Sequence, residues 1–105
     1  MGNTERRKQL EAMLQDDPHD TFLRYGLALE LAGAGDKPNA LAQLEMLLTH
    51  TPEYVPAYLQ AGKLSMELGR DETARHFFSK GIRHAEQQGN THAAEEMAGM
   101  MASLG

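Results

Sequence analysis

Apolar side chains recur every three or four residues along most of the chain, which is the spacing of one face of an α-helix. Leu27, Ala28 and Leu31 follow this spacing, and a second apolar run follows it over residues 40–48. Strict alternation of apolar and polar residues, the pattern of a half-buried strand, does not persist anywhere, and β-branched residues are scarce. The pattern therefore predicts an all-α chain.

Short polar breaks separate the helical stretches, and the clearest reads Gly-Ala-Gly-Asp-Lys-Pro from residue 33 to residue 38. Gly35 can adopt a positive φ after a helix end, Asp36 can cap the next helix, and Pro38 suits its first turn. Two helices joined by so short a turn pack as antiparallel neighbours. The chain as a whole is predicted to form helices at 4–16, 21–34, 37–50, 56–68, 71–88 and 91–103, the fourth starting at Pro56.

This helical hairpin recurs with a period of 34 residues. Identity between the two units is low, and what repeats is the size of the side chain at the packing positions: small where helix backbones approach, bulky where a gap is filled. A period of 34 fits one helix–turn–helix unit, so the chain is predicted to be an array of hairpins. The matching pairs are Pro18 and Pro52, Ala28 and Gly62, Gly35 and Gly69, Ala40 and Ala74, Leu44 and Phe78, and Leu48 and Ile82.

The order of these residues resembles the tetratricopeptide repeat family. The second unit carries Tyr58, Ala61-Gly62, Gly69, Ala74 and Phe78 in the family's order, and the first carries Leu27-Ala28, Leu31, Gly35, Ala40, Leu44 and Pro52. Three residues depart from the family pattern: Arg24 for a large aromatic, Ser65 for a tyrosine and Glu86 for a closing proline. The resemblance implies an α-solenoid of antiparallel helix hairpins, a single domain over residues 1–105 with repeats at about 21–54 and 55–88.

The helices outside the two repeats are expected to cover apolar surface at the ends of the array. The N-terminal helix, capped by Asn3 or Thr4, is predicted to turn Leu10, Met13 and Leu14 inward. The capping helix at about 91–103 is predicted to turn Ala94, Met97, Ala98, Met101 and Leu104 inward. Gly81, in the middle of the fifth helix, predicts a close contact with this last helix, and a kink is the alternative.

Composition and charge argue against several function classes. The chain has 105 residues, enough for one domain, with a net charge of −5 that argues against nucleic acid and no cysteine for disulfides or thiolate metal sites. No stretch reaches the roughly 20 apolar residues of a membrane span, so a cytoplasmic location is expected. The five histidines and the serines form no catalytic or metal-binding pattern. We therefore expect no enzyme activity, no cofactor and no metal.

The resemblance implies that the first helix of each hairpin lines a concave groove in which a partner binds. The groove residues would be Phe22, Tyr25, Leu29 and Ala32, followed by Leu59, Gln60, Lys63 and Met66. Relatives that grip the C-terminal carboxylate of chaperones use lysines and asparagines here, which argues against that role for this largely apolar set. An extended or helical segment with hydrophobic anchors and one acid fits better. The expected function is a protein–protein interaction module for a protein or peptide partner.

A homodimer is the main alternative, because a second copy could cover the apolar first-helix face through a self-complementary patch. The last helix folding against the same face is a further alternative. Sedimentation separates the two functional hypotheses, since a monomer at micromolar concentration favours a peptide groove.

Overall fold

The structure, a computed structural model, describes residues 3–105. Its six helices are α1 (Asn3–Asp16), α2 (Thr21–Gly33), α3 (Lys37–His50), α4 (Val55–Glu67), α5 (Asp71–Gln87) and α6 (Thr91–Ser103). The all-α class is confirmed, and each predicted helix boundary lies within one residue of the observed one. Because α4 begins at Val55, Pro56 is its second residue rather than its first. The side chain of Asn3, one of the two predicted caps of α1, lies outside the described residues.

The helices group into two compact units, one ending at Thr51 and the other beginning at Pro52. In the first unit α2 packs against both α1 and α3. In the second unit α5 packs against α4 and α6, and α6 also contacts α4. Each unit therefore contains one hairpin, α2–α3 or α4–α5, and one additional helix. That the whole chain forms a single domain stays a prediction.

The turn between α2 and α3 has the predicted chemistry. Gly35 has a φ of 88°, a conformation that glycine adopts without the steric cost of a Cβ atom. The Asp36 carboxylate accepts a hydrogen bond from the backbone N–H of Asn39 at 3.4 Å and another from the Asn39 side-chain amide at 2.8 Å. These contacts confirm Asp36 as the cap of α3, so the chain reverses direction within three residues.

The hairpin of the second unit depends on a glycine placed under an aromatic ring. A Cβ atom on Gly62 of α4 would overlap the ring of Phe78 on α5, which is fully buried. Ala74, at the start of α5, is also fully buried. The first unit buries the matching residues Ala28, Ala40 and Leu44. The small and bulky positions inferred from the 34-residue period are thus the positions at which the helices pack.

Gly81 contacts two helices at once. An added Cβ atom would lie 2.6 Å from Sδ of Met97 on α6 and 2.6 Å from Cβ of Tyr58 on α4. The predicted contact with the last helix is confirmed, and the contact with α4 is an additional finding. The helix α5 continues through Gly81 from Asp71 to Gln87.

Arg24 and Tyr58, at matching positions of the two hairpins, make the same backbone contact. The Arg24 guanidinium donates to the carbonyl oxygen of Pro18 at 2.7 Å, and the Tyr58 hydroxyl donates to that of Pro52 at 2.6 Å. Arg24 also donates to Oε1 of Gln43 on α3 at 2.6 Å, whereas the Tyr58 ring stacks on His84 of α5 with 5.4 Å between centroids. Arg24 therefore joins α2 to the preceding turn and to α3. Tyr58 joins α4 to its preceding turn and to α5 in the same way.

Ser65, which stands where the family usually has a tyrosine, is fully buried on α4. Its hydroxyl donates to the carbonyl oxygen of Ala61 at 2.8 Å. Since a buried hydroxyl without a partner is costly, this bond allows a small polar residue at a position of close helix contact.

Two of the residues predicted to turn inward are exposed instead. Met13 is 51% exposed, because α1 is covered on the side of Leu10 and Leu14 only. Ala98 is exposed, because α6 buries Ala94 and Met97 and its neighbouring side is uncovered. Met101 and Leu104 are half-buried, which is less than the inward stripe predicted.

Gly81→Ala and Gly99→Ala should change stability in opposite directions. The methyl group at position 81 meets Cβ of Tyr58 and Sδ of Met97, so we expect a loss of about 1–3 kcal/mol of unfolding free energy. Gly99 lies on α6 with no atom within 4 Å of an added Cβ, so alanine there should add up to about 1 kcal/mol through helix propensity. Urea unfolding of both variants measures this difference. Equal effects would contradict the contact at Gly81.

Tyr58→Phe should lower stability by about 0.5–1.5 kcal/mol, because it removes the hydrogen bond to Pro52. Burial raises the pKa of the Tyr58 hydroxyl above its ordinary value of 10.0, with Arg83 lowering it and Glu53 raising it by smaller amounts. The neutral phenol is therefore favoured in the fold, and its contribution is complete below pH 10 and lost as the pH rises through the raised value.

The parent should consequently lose more stability than Tyr58→Phe when urea unfolding is repeated from pH 9 to pH 11. Tyr54, whose pKa burial also raises, is present in both proteins, so the loss of stability that it contributes should be common to them. Identical pH profiles for the two proteins would contradict the role given to Tyr58.

Candidate functional site

The first-helix face of α2, formed by Phe22, Tyr25, Leu29 and Ala32, lies on a different side of the helix from its buried residues. Phe22 is 76% exposed and Leu29 is 42% exposed, whereas Tyr25 and Ala32 are half-buried. The buried residues of the same helix are Leu27, Ala28 and Leu31. The helix thus has one packed side and one accessible side, both of them largely apolar.

The first-helix face of α4, formed by Leu59, Gln60, Lys63 and Met66, is half-buried at every position. On the packed side of the helix lie Tyr58, Ala61, Gly62 and Ser65, all buried. Lys63 is the cation of this face, and the apolar stems of its neighbours Leu59 and Met66 lie one turn away on either side. That the two first-helix faces line one concave groove stays a prediction.

Large exposed apolar side chains are concentrated on α2. Within residues 3–105 the exposed large apolar residues are Met13, Phe22, Leu29 and Met46. Phe22 and Leu29 are seven residues apart, two helical turns, so they stand on the same side of α2 with Tyr25 between them. Met13 and Met46 are on different helices. An aromatic and an aliphatic side chain in one row are typical anchors of a protein-binding surface.

The described residues show no group that calls for a small ligand or an ion. Among residues 3–105, no three His, Asp or Glu side chains are arranged to hold a metal ion. Every buried side-chain nitrogen or oxygen in this part of the chain has a hydrogen-bond partner, so none is aimed unsatisfied into a cavity. The described helices also lack a segment with the length and apolar character of a membrane span.

His50 and His84 lie in the last turns of α3 and α5, as expected from their sequence positions. Their ring contacts were not predicted: the ring centroids of His50 and His19 are 3.9 Å apart, and the ring of His84 stacks on that of Tyr58. The spacing of 34 between the two histidines was the available signal. Both contacts join the second helix of a hairpin to a residue near the start of the first.

A second surface feature was also missed. A groove of about 370 Å³ lies between α5 and α6, lined by Ile82, Glu86, Thr91, Ala94, Glu95 and Ala98. Two of its lining residues are carboxylates, and three are apolar. It lies entirely within the second unit and is separate from both first-helix faces.

No protein-family model matches the sequence, and no curated protein matches it significantly. Solved structures do. A tetratricopeptide repeat domain protein from Salinibacter ruber is 32% identical, with a TM-score of 0.78 over 83% of this chain and 88% of that one. A Bordetella parapertussis protein is 26% identical, with a TM-score of 0.80 over 93% and 85%. PcrH, in complex with the chaperone binding region of PopD, is 17% identical with a TM-score of 0.91 over 98% and 78%.

Proposed function

Because the chain belongs to the tetratricopeptide repeat family, we propose that it is a protein-interaction module that binds a segment of a partner protein on its first-helix faces. The observation that carries this proposal is the exposure of Phe22 and Leu29 on a helix whose opposite side is packed. Apolar side chains that stay exposed contribute little to the stability of the fold. A partner that removes them from water gains binding free energy from the hydrophobic effect.

The fold itself supports a peptide-binding role. PcrH shares the fold over nearly the whole of this chain and is seen in complex with a region of PopD. A chain with this arrangement of helices can therefore hold a segment of another protein. At 17% identity the likeness extends to the fold, so the partner's identity is not transferred.

The side chains of the two faces suggest the chemistry of the segment. Phe22, Tyr25 and Leu29 offer contacts for large apolar anchors, and Lys63 offers one for a carboxylate. We propose a helical or extended segment with two or more hydrophobic residues and one acid, bound without catalysis in the cytoplasm. The net charge of −5 makes nucleic acid a poor alternative partner.

Replacing Tyr25 and Leu29 together with alanine should abolish capture of the partner while the protein stays folded. Anchor residues of an interface usually cost about 2 kcal/mol or more when truncated, whereas partly exposed side chains contribute less to folding. The measurement is recovery of bound proteins from native extract, identified by mass spectrometry, together with the thermal melting curve. Met13→Ala is the matched control, because it removes an exposed apolar side chain from α1.

Retained capture by a folded double variant would contradict the proposed site. Collapse of the fold would show that these residues are core. Sedimentation of the parent tests the homodimer, and a dimer at micromolar concentration that the double variant converts to a monomer would favour a second copy as the occupant.

Lys63→Glu should weaken capture and reduce its dependence on salt. The change replaces the cation assigned to the partner's acid, and attraction between exposed charges is screened at high ionic strength. Recovery of the partner at low and high salt measures the effect, with Lys8→Glu on α1 as the control for the altered net charge. Unchanged recovery and unchanged salt dependence would show that Lys63 does not contact the partner.

A further inference from the structure

The helix α6 has the same length as the first helix of each hairpin. The helices α2, α4 and α6 each contain 13 residues, and their eighth residues are Ala28, Gly62 and Ala98. In α4 this small residue is the one against which Phe78 of the following helix packs. The same position in α6 is therefore suited to receive a large side chain from another helix.

The surroundings of Ala98 differ from those of its two counterparts. Ala28 and Gly62 are buried, whereas Ala98 is exposed and lines the groove between α5 and α6. The fourth and seventh residues of the two helices are alike in burial: Ala94 and Met97 of α6 are buried, as are Tyr58 and Ala61 of α4. Ala98 thus corresponds to the small residue on which the second helix of a hairpin packs, but among the described residues no helix covers it.

The groove also carries charge. Glu86 of α5 and Glu95 of α6 line it, and both are exposed. In the part of the chain that the structure describes, no ion pair or hydrogen bond engages either carboxylate. A partner with cations beside its apolar residue would therefore gain electrostatic attraction here, and an acidic partner would be repelled.

We propose that this groove binds an amphipathic helix of a partner protein, which places a large apolar side chain against Ala98 and Lys or Arg beside Glu86 and Glu95. This is a second interaction surface, distinct from the first-helix faces of α2 and α4. Its recognition mode is a helix in a groove, with the packing of Phe78 on Gly62 as its pattern within the same chain.

The probe is a fluorescein-labelled peptide of residues 71–88, because this sequence packs as a helix on α4 through Phe78 and carries Arg75, Lys80 and Arg83. Fluorescence anisotropy measures its binding to the full chain. Glu95→Lys should weaken binding about fivefold, whereas Glu96→Lys, the adjacent exposed glutamate outside the groove, should change it less than about twofold. Ala98→Leu should also weaken binding, because it fills the docking position.

A charge-reversed peptide with Lys80→Glu and Arg83→Glu should bind poorly to the parent protein. The same peptide should bind more tightly to the Glu95→Lys variant than to the parent. Tyr25→Ala with Leu29→Ala should leave binding of the original peptide unchanged, which separates this surface from the one proposed above. The proposal is overturned by absence of binding, by equal effects of the changes at positions 95 and 96, or by loss of binding in the Tyr25 and Leu29 variant. Self-association of the parent that Glu95→Lys abolishes would identify a second copy as the occupant and also overturn it.

Discussion

Close approach of helix backbones at small residues is the constraint on which the rest of the structure depends. Phe78 fills the space that the missing side chain of Gly62 leaves, and Gly81 allows α5 to lie against both Tyr58 and Met97. A methyl group at either glycine would push the helices apart, and dense packing transmits such a displacement to every neighbour. The 34-residue period in the sequence reflects this constraint, because it repeats the size of the side chain at each packing position rather than the residue type.

The same constraint determines which side of each helix is available for binding. In α2 the buried side carries Leu27, Ala28 and Leu31, whereas Phe22 and Leu29 lie exposed on another side of the helix. Their exposure costs the fold little and supplies a surface for a partner. The hairpin thus keeps its stabilising contacts and its proposed binding contacts on different sides of one helix.

Local chemistry made the helices predictable, whereas burial depended on neighbours that the sequence does not specify. Gly35 predicts a turn because glycine readily adopts a positive φ, and Asp36 predicts a helix start because its side chain can cap the next helix. Both effects involve only residues close in sequence. Met13 and Ala98 follow the apolar spacing of their helices but are exposed, because no helix among the described residues covers them. The groove between α5 and α6 was not predicted either, because it depends on how these two helices pack against each other. Arg24 was recognised as a departure from the family pattern, but its bond to Pro18 required the geometry of the turn.

The most direct test of this account is a double-mutant cycle between Gly62 and Phe78, read by urea unfolding. Gly62→Ala should destabilise the protein through overlap with the Phe78 ring, and Phe78→Leu should destabilise it by leaving a cavity. In the double variant the smaller leucine makes room for the methyl group, so the combined loss should fall short of the sum by about 1 kcal/mol or more. Strictly additive losses would contradict the claim that this small-to-large contact holds the hairpin together.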